Sequence, residues 1–252
     1  MNDDQLLQFS RHILLPDFDV DGQEKLLQAK VLLVGAGGLG SPIALYLAAA
    51  GIGHITIIDD DLVDISNLQR QIAHQVVDVG MNKAVSAAQA MRNINPACAV
   101  IAVSMRLDEQ ALAGQVANVD IIIDATDNAE TRFLLNDLSC TFKTPLVSGA
   151  AIRWEGQVTV FDPRRPQSPC YRCLYPSEQT MVEENCSESG VISPLVGVIG
   201  SMQALEAIKL LSGVGEPLVG KVLFYDGKFG QWQQIALSKL ASCPVCASSS
   251  AS

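Results

Sequence analysis

Between Val31 and Asp59 the chain reads VLLVGAGGLGSPIALYLAAAGIGHITIID, and few architectures accommodate that order of residues. The apolar run Val31 to Val34 enters Gly35-Ala36-Gly37-Gly38-Leu39-Gly40. An alanine-rich helical pattern follows, and a second apolar run, His54 to Ile58, ends in Asp59. Strand, glycine turn, helix, strand and acid in that order form a nucleotide-binding βαβ unit. Gly35 and Gly37 permit a tight turn and close approach of backbone to a phosphate. Gly40 lets the helix pack on the strand, and the helix N-terminus offers unpaired N–H groups and the positive end of a dipole. Asp59 stands where a carboxylate accepts hydrogen bonds from ribose hydroxyls. The motif does not choose the nucleotide; NAD is its usual occupant.

The rest of the chain extends this unit into an α/β sheet. Helical spacing marks Asp3 to Leu15, Gln23 to Gln28 leads into the first strand, and Met81 to Asn93 is a helix. Ala99 to Val103 is a short strand, Glu109 to Val116 a helix, and Val119 to Asp124 a continuous apolar strand suited to a buried parallel sheet. Ala129 to Phe142 is helical and Pro145 to Val147 begins another strand. From about Gly149 the pattern changes to the period-two alternation of GQVTVFDP, the mark of an antiparallel strand. Pro163 to Ser193 has no clear period, Pro194 to Leu211 is a small-residue helix, and Val219 to Tyr225 is a further strand. The expectation is one domain over residues 1–246: a mostly parallel, Rossmann-like sheet continued by antiparallel strands. Its nucleotide-binding half spans about 1–148 and its second half about 149–246, and residues 247–252 form a disordered tail.

A net charge of −10 over 252 residues argues against nucleic acid as a partner, which demands clustered Lys and Arg. No run of about eighteen apolar residues suggests a membrane span. With no export signal visible at the N-terminus, a cytoplasmic location is expected, where thiols stay reduced. The seven cysteines are then read as thiols. Cys170-Tyr171-Arg172-Cys173 and Cys243-Pro244-Val245-Cys246 are two CxxC pairs. Two such pairs complete a tetrahedral four-cysteine site for Zn²⁺, with no ligand position left open for catalysis. Cys98 and Cys140 fit no motif and are expected in the core.

Charged residues follow the predicted strand ends, where open α/β sheets place ligands. Arg70 lies in SNLQRQ, Lys83 follows it, and Asp127-Asn128 closes DATDN. Two cations suit a triphosphate, and Asp127 suits Mg²⁺. Together with GAGGLGS, SGAAIRWEGQ, CYRCLYP and CSESGVISPLVGVIGSMQALEAIK, these segments resemble the bacterial ubiquitin-activating-like adenylyltransferases, which have a molybdopterin-synthase branch and a thiazole-biosynthesis branch. The resemblance runs from about residue 5 to Cys246.

The resemblance implies a reaction. The C-terminal Gly-Gly carboxylate of a small ubiquitin-fold sulfur carrier attacks the α-phosphorus of MgATP, an acyl-adenylate forms and pyrophosphate leaves. A separate sulfurtransferase then supplies sulfur for a thiocarboxylate, since no fused rhodanese domain is seen. Matched by motif, Gly38 lies in the phosphate loop, Asp59 holds the ribose, Asn67, Arg70 and Lys83 contact phosphates, and Asp127 binds Mg²⁺. Arg11 matches an arginine donated to the neighbouring subunit's site, which implies a homodimer. Cys186, in ENCSESG, matches the family's loop cysteine, and a catalytic and a bystander role weigh evenly. His12, His54 and His74 show no partner pattern and are read as structural. The alternatives are an NAD-dependent oxidoreductase, which leaves Arg70, Lys83 and the cysteine pairs unused, and a non-catalytic scaffold for a ubiquitin-fold protein.

Overall fold

The computed structural model describes residues 1–176 and 189–247. Side-chain alternation along β1 (Lys30–Val34) sets the layering. Val31 and Leu33 enter one hydrophobic core, Leu32 and Val34 the other. The same parity governs β4 (Ile121–Asp124), whose Ile121 and Ile123 face the first core and Ile122 the second. A strand that is apolar on both faces must be covered on both faces, and helices supply the cover.

Eight strands form one sheet in the order β3-β2-β1-β4-β5-β6-β7-β8. Besides β1 and β4 they are β2 (His54–Ile58), β3 (Ala99–Val103), β5 (Leu146–Ile152), β6 (Glu155–Phe161), β7 (Lys221–Asp226) and β8 (Gln231–Ala236). The ladders from β3 to β5 are parallel, and those from β5 to β8 antiparallel. The mixed sheet expected from the change of period near Gly149 is therefore present, and it runs without interruption through both halves of the chain.

The helices are α1 (Asp3–Gln8), α2 (Ser10–Ile13), α3 (Asp19–Gln28), α4 (Gly40–Ala50), α5 (Lys83–Ile94), α6 (Glu109–Val116), α7 (Ala129–Phe142), α8 (Tyr171–Leu174) and α9 (Ser193–Ser212). Helices α3, α4, α5 and α9 build the first core, α6 and α7 the second. Among the described residues α9 is the one helix long and apolar enough to cross a bilayer. Its packing on β5, β6 and α4 accounts for that composition.

Three local expectations change. The segment Asp3 to Leu15 is two short helices broken at Phe9, whose side chain is buried. Helix α3 starts at Asp19, before Gly22. A Cβ on Gly22 would lie 2.8 Å from the Phe18 ring, so this glycine is a packing residue within a helix and not a breaker. Strand β8 is an addition to the expected elements; every residue in it is exposed, so burial leaves no mark on its sequence.

Candidate active site

Strands β1 and β4 end side by side, with Val34 paired to Asp124. From there the chain departs in opposite directions, through α4 to β2 and through α7 to β5. The crevice between two such departures is where open parallel sheets hold ligands. A cavity of about 800 Å³ fills it, lined by Gly35, Gly37, Gly38, Asp59, Arg70, Lys83, Asp127 and Asn128 among others. Four separate segments thus converge as their sequence positions suggested. Gly40, Asn67 and Arg11 are not among the lining residues.

Two glycines of the loop are demanded by the protein itself. Gly35 has φ +98°, and a Cβ there would lie 2.6 Å from the Ala125 carbonyl oxygen. At Gly40 a Cβ would lie 2.0 Å from the Gly35 carbonyl oxygen, so this glycine serves packing. Helix α4 then opens with Leu39 as its N-cap and no side chain capping its first turn. Such an end suits an anion.

The charged residues are held in graded ways. Lys83 is buried and opens α5, where the helix dipole disfavours a cation. Asp61, exposed, partners it at 2.7 Å. A phosphate entering the cavity would complete this compensation. Arg70 is half-buried and donates to the Ser66 carbonyl oxygen at 3.3 Å. Asp127 is exposed, and Asn128 caps α7 by accepting from the Thr131 N–H at 2.9 Å. Asn67 closes a capping box by accepting from the Asp64 N–H. Arg11 is exposed on α2. Cys186 lies outside the described residues.

Asp59, expected to hold a ribose, braces the glycine loop. One oxygen accepts from the Ala36 N–H at 2.7 Å and the other from the Asp61 N–H at 2.9 Å. Burial raises its pKa above the ordinary 3.8, against the opposing pull of these two N–H groups. Behind the cavity, Asp124 is buried at the end of β4 and accepts from the Thr126 hydroxyl at 2.6 Å and the Ser148 hydroxyl at 3.2 Å. Arg132, buried on α7 and lining the cavity, donates to the Thr126 carbonyl oxygen at 2.6 Å and stands 3.9 Å from Asp124. Burial is the largest influence on the Arg132 cation and opposes it, but the Asp124 carboxylate together with Tyr171 and Tyr175 outweighs burial, and the pKa is raised. Sequence reading missed Asp124, Arg132 and Gln71, which also line or brace the cavity. Their one visible signal was a cation, Arg132, in the first turns of a helix.

The four predicted zinc ligands meet in one buried cluster with all Sγ atoms within 4.8 Å of one another. Cys170 and Cys243 are 3.5 Å apart, Cys173 and Cys246 3.4 Å, Cys170 and Cys173 4.0 Å. Four thiolates around Zn²⁺ at about 2.3 Å stand about 3.8 Å apart, so the donor set fits. The Leu240 N–H donates to Cys173 Sγ at 3.4 Å, which helps to satisfy a thiolate. Cys140 packs against this cluster. Cys98 is an inert core thiol, pushed by burial up to about 11.

The ThiF family matches residues 9–245. The chain is 45 % identical over 251 residues to the sulfur carrier protein ThiS adenylyltransferase of Escherichia coli (strain K12), covering 100 % of this chain and 99 % of that protein. It is 46 % identical over 249 residues to the molybdopterin-synthase adenylyltransferase of the same strain, covering 98 % of each. Among solved structures, E. coli MccB with ATP has a TM-score of 0.83 at 23 % identity over 95 % of this chain and 73 % of that one, a likeness of fold. Identity at this level runs through both the glycine-loop half and the cysteine-bearing half, and places this chain in the ThiF family.

Proposed function

We propose that this chain adenylylates the C-terminal Gly-Gly carboxylate of a ubiquitin-fold sulfur carrier, priming it for thiocarboxylate formation in molybdopterin or thiazole biosynthesis. The observation that carries this reading is the cavity at the β1/β4 switch point, where a glycine loop, Lys83, Arg70 and Asp127 converge. A dinucleotide oxidoreductase has no use for that cluster of charges, and a scaffold has no use for the cavity.

In this reading ATP lies with its phosphates on the glycine loop and the N-terminus of α4, and its ribose at Asp59. Lys83 and Arg70 offset phosphate charge, which lowers the repulsion between the attacking carboxylate and the polyanion. Mg²⁺ held by Asp127 would neutralise further charge on the leaving pyrophosphate. The carboxylate oxygen bonds to the α-phosphorus while the bond from that phosphorus to the bridging oxygen breaks, and the electron pair departs with pyrophosphate. A carboxylate is already ionised at neutral pH, so no general base is required. The four-cysteine site, filled by Zn²⁺, is structural. The described cysteines form no disulfide with one another, which suits a reducing cytoplasm.

Two surfaces support the assembly. Leu62, Ile65, Ile72, Val76, Val77 and Val79 are exposed in the segment that carries Arg70, an apolar face for a second copy whose Arg11 would reach the cavity. The open edge strand β8, with exposed Trp232 and Ile235, is available to the carrier.

The test is exchange of labelled pyrophosphate into ATP with a ThiS-type carrier or a molybdopterin-synthase carrier added. Exchange that depends on one or both is expected. Its absence with every carrier, together with tight NAD binding, would overturn the proposal. Thiocarboxylate yield from a Cys186→Ser variant assigns that residue to sulfur transfer if it falls.

A further inference from the structure

His74, read from sequence as structural, is buried beside the phosphate loop and hydrogen-bonded at both ring nitrogens. Nε2 lies 3.0 Å from the Ala36 carbonyl oxygen. Nδ1 lies 2.8 Å from the Ser86 hydroxyl, which in turn lies 2.8 Å from Asp78 Oδ2. The same peptide neighbourhood is held from the other side, where Asp59 accepts from the Ala36 N–H at 2.7 Å. Ala36 is therefore gripped through both its backbone polar groups by side chains from two other segments. The next two residues, Gly37 and Gly38, line the cavity.

We propose that His74 is a positioning residue for adenylylation: its Nε2–H, with Asp59, fixes the backbone of Ala36 and so sets where Gly37 and Gly38 meet the nucleotide phosphates. This deepens the function proposed above and rests on that reading of the cavity.

The hydrogen-bond chemistry supports a fixed grip. A carbonyl oxygen only accepts, so the Nε2 that faces it carries the proton. The Ser86 hydroxyl is the adaptable member. Beside a neutral ring its single proton goes to Nδ1 and its bond to Asp78 Oδ2 is given up, while Asp78 keeps its bond from the Gln75 N–H at 2.8 Å. Beside a protonated ring it accepts from Nδ1–H and donates to Asp78. In both charge states the Nε2–H bond to Ala36 survives. Burial is the largest influence on the ring and holds its pKa below the ordinary 6.5; the Ala36 carbonyl and Asp78 pull upward and Lys83 downward. A pKa held below 6.5 favours the neutral ring at pH 7, and the carbonyl facing Nε2 places its proton there.

Nitrogen-15 NMR of the ligand-free protein reads that tautomer directly. A single Nε2–H species at pH 7 is expected, and an Nδ1–H species would overturn the proposal whatever the nucleotide does. Carrier-dependent pyrophosphate exchange then reads the consequence. His74→Leu should raise KM for ATP about tenfold or more, with KM for the carrier unchanged. His74→Gln, whose amide N–H reaches toward the same carbonyl, should recover most of the loss. A merely structural role would instead lower the active fraction, reducing kcat and leaving both KM values alone, and that result would refute the inference. If His74→Leu fails to fold, the tautomer and the His74→Gln kinetics still decide. Failure of wild-type protein to exchange pyrophosphate would count against the adenylylation reading and leave the tautomer result standing.

Discussion

Three glycine-to-alanine substitutions separate what the protein needs from what its ligand needs. At Gly40 the added Cβ would lie 2.0 Å from the Gly35 carbonyl oxygen and 2.8 Å from its carbon. Both are backbone atoms, so the contact must open by roughly 1 Å, moving either the loop or α4. Overpacking of this kind costs roughly 1–3 kcal/mol. In a domain of this size that lowers Tm by roughly 2–12 °C. A shift of about 1 Å in a positioning element also costs about 10² in rate. Gly40→Ala should therefore lose both stability and ATP use.

Gly37 differs. Its φ is not positive, and the nearest atom to an added Cβ is Gln71 Nε2 at 3.6 Å, an ordinary contact. The fold has no quarrel with alanine there, and stability should stay within about 1 kcal/mol or rise. A methyl group would occupy space on the cavity wall that close approach to a phosphate requires. Gly37→Ala should then weaken MgATP about tenfold or more, equal to about 1.4 kcal/mol. Gly114, in α6 with nothing within 4 Å of an added Cβ, is the control, expected to gain about 0.5–1 kcal/mol with no effect on ATP. Denaturant unfolding and calorimetric MgATP titration measure the two axes. A Gly37→Ala protein that binds ATP normally, or a Gly40→Ala protein unchanged on both axes, would refute the placement of phosphates on this loop.

Other expectations are brief. Asp127→Ala should cut carrier-dependent pyrophosphate exchange by about 10² or more while unfolding normally, because the side chain is exposed; near-normal exchange would move the Mg²⁺ site elsewhere. On the proposed homodimer, mixing inactive Arg11→Ala and Asp127→Ala proteins should restore exchange, since one site in each heterodimer would keep both residues. Absence of recovery in proven heterodimers would confine Arg11 to its own subunit. Cys246→Ala should abolish zinc in metal analysis and destabilise the C-terminal segment; full zinc content would refute the four-cysteine assignment. Burial pushes the Asp162 carboxyl up, but hydrogen bonds and charge from Arg164, with help from Arg165, hold it below the ordinary 3.8. Its folded pKa is depressed, so its contribution is fully present above pH 3.8 and fades as pH falls through the folded value. Asp162→Asn should flatten the acid limb of the stability profile relative to wild type, and an unchanged limb would show that the pairing contributes nothing.

What the sequence reveals follows from how local each signal is. The β1–α4–β2 unit is legible because period, turn and acid all fall within Val31–Asp59. The cysteine cluster is legible because ligand spacing is local within each pair, even though the pairs lie far apart in the chain. Strand β8 is invisible because QWQQIA carries no buried face; pairing with β7 makes it a strand. The roles of Asp59 and His74 at Ala36 are invisible for another reason. They depend on three segments meeting at one peptide, and no pattern along the chain reports that.

The same dependence on meeting segments ties the four-cysteine cluster to the cavity at the strand ends. Tyr171, between Cys170 and Cys173 of that cluster, donates its backbone N–H to Asn136 Oδ1 at 2.7 Å and packs edge-on against Phe133. The Tyr171 phenol lies near enough to Arg132, the buried cation of the cavity wall, to help raise that cation's pKa. Next to it, Arg172 forms a two-pronged pair with Asp137 at 2.9 and 2.7 Å. All four partners sit on α7, whose N-terminus carries Asp127 and Asn128. On the opposite side, Gln203 of α9 donates to the Asp124 carbonyl oxygen at 2.7 Å, and Val196 stands 3.2 Å from where a Gly38 Cβ would be. The cysteine-bearing half thus grips both walls of the cavity. Zinc held at Cys170 and Cys173 would brace the helix that presents Asp127, so its loss should raise KM for MgATP as well as loosen the C-terminus. A zinc-free Cys246→Ala protein with wild-type MgATP affinity would show that the two sites are mechanically independent despite these contacts.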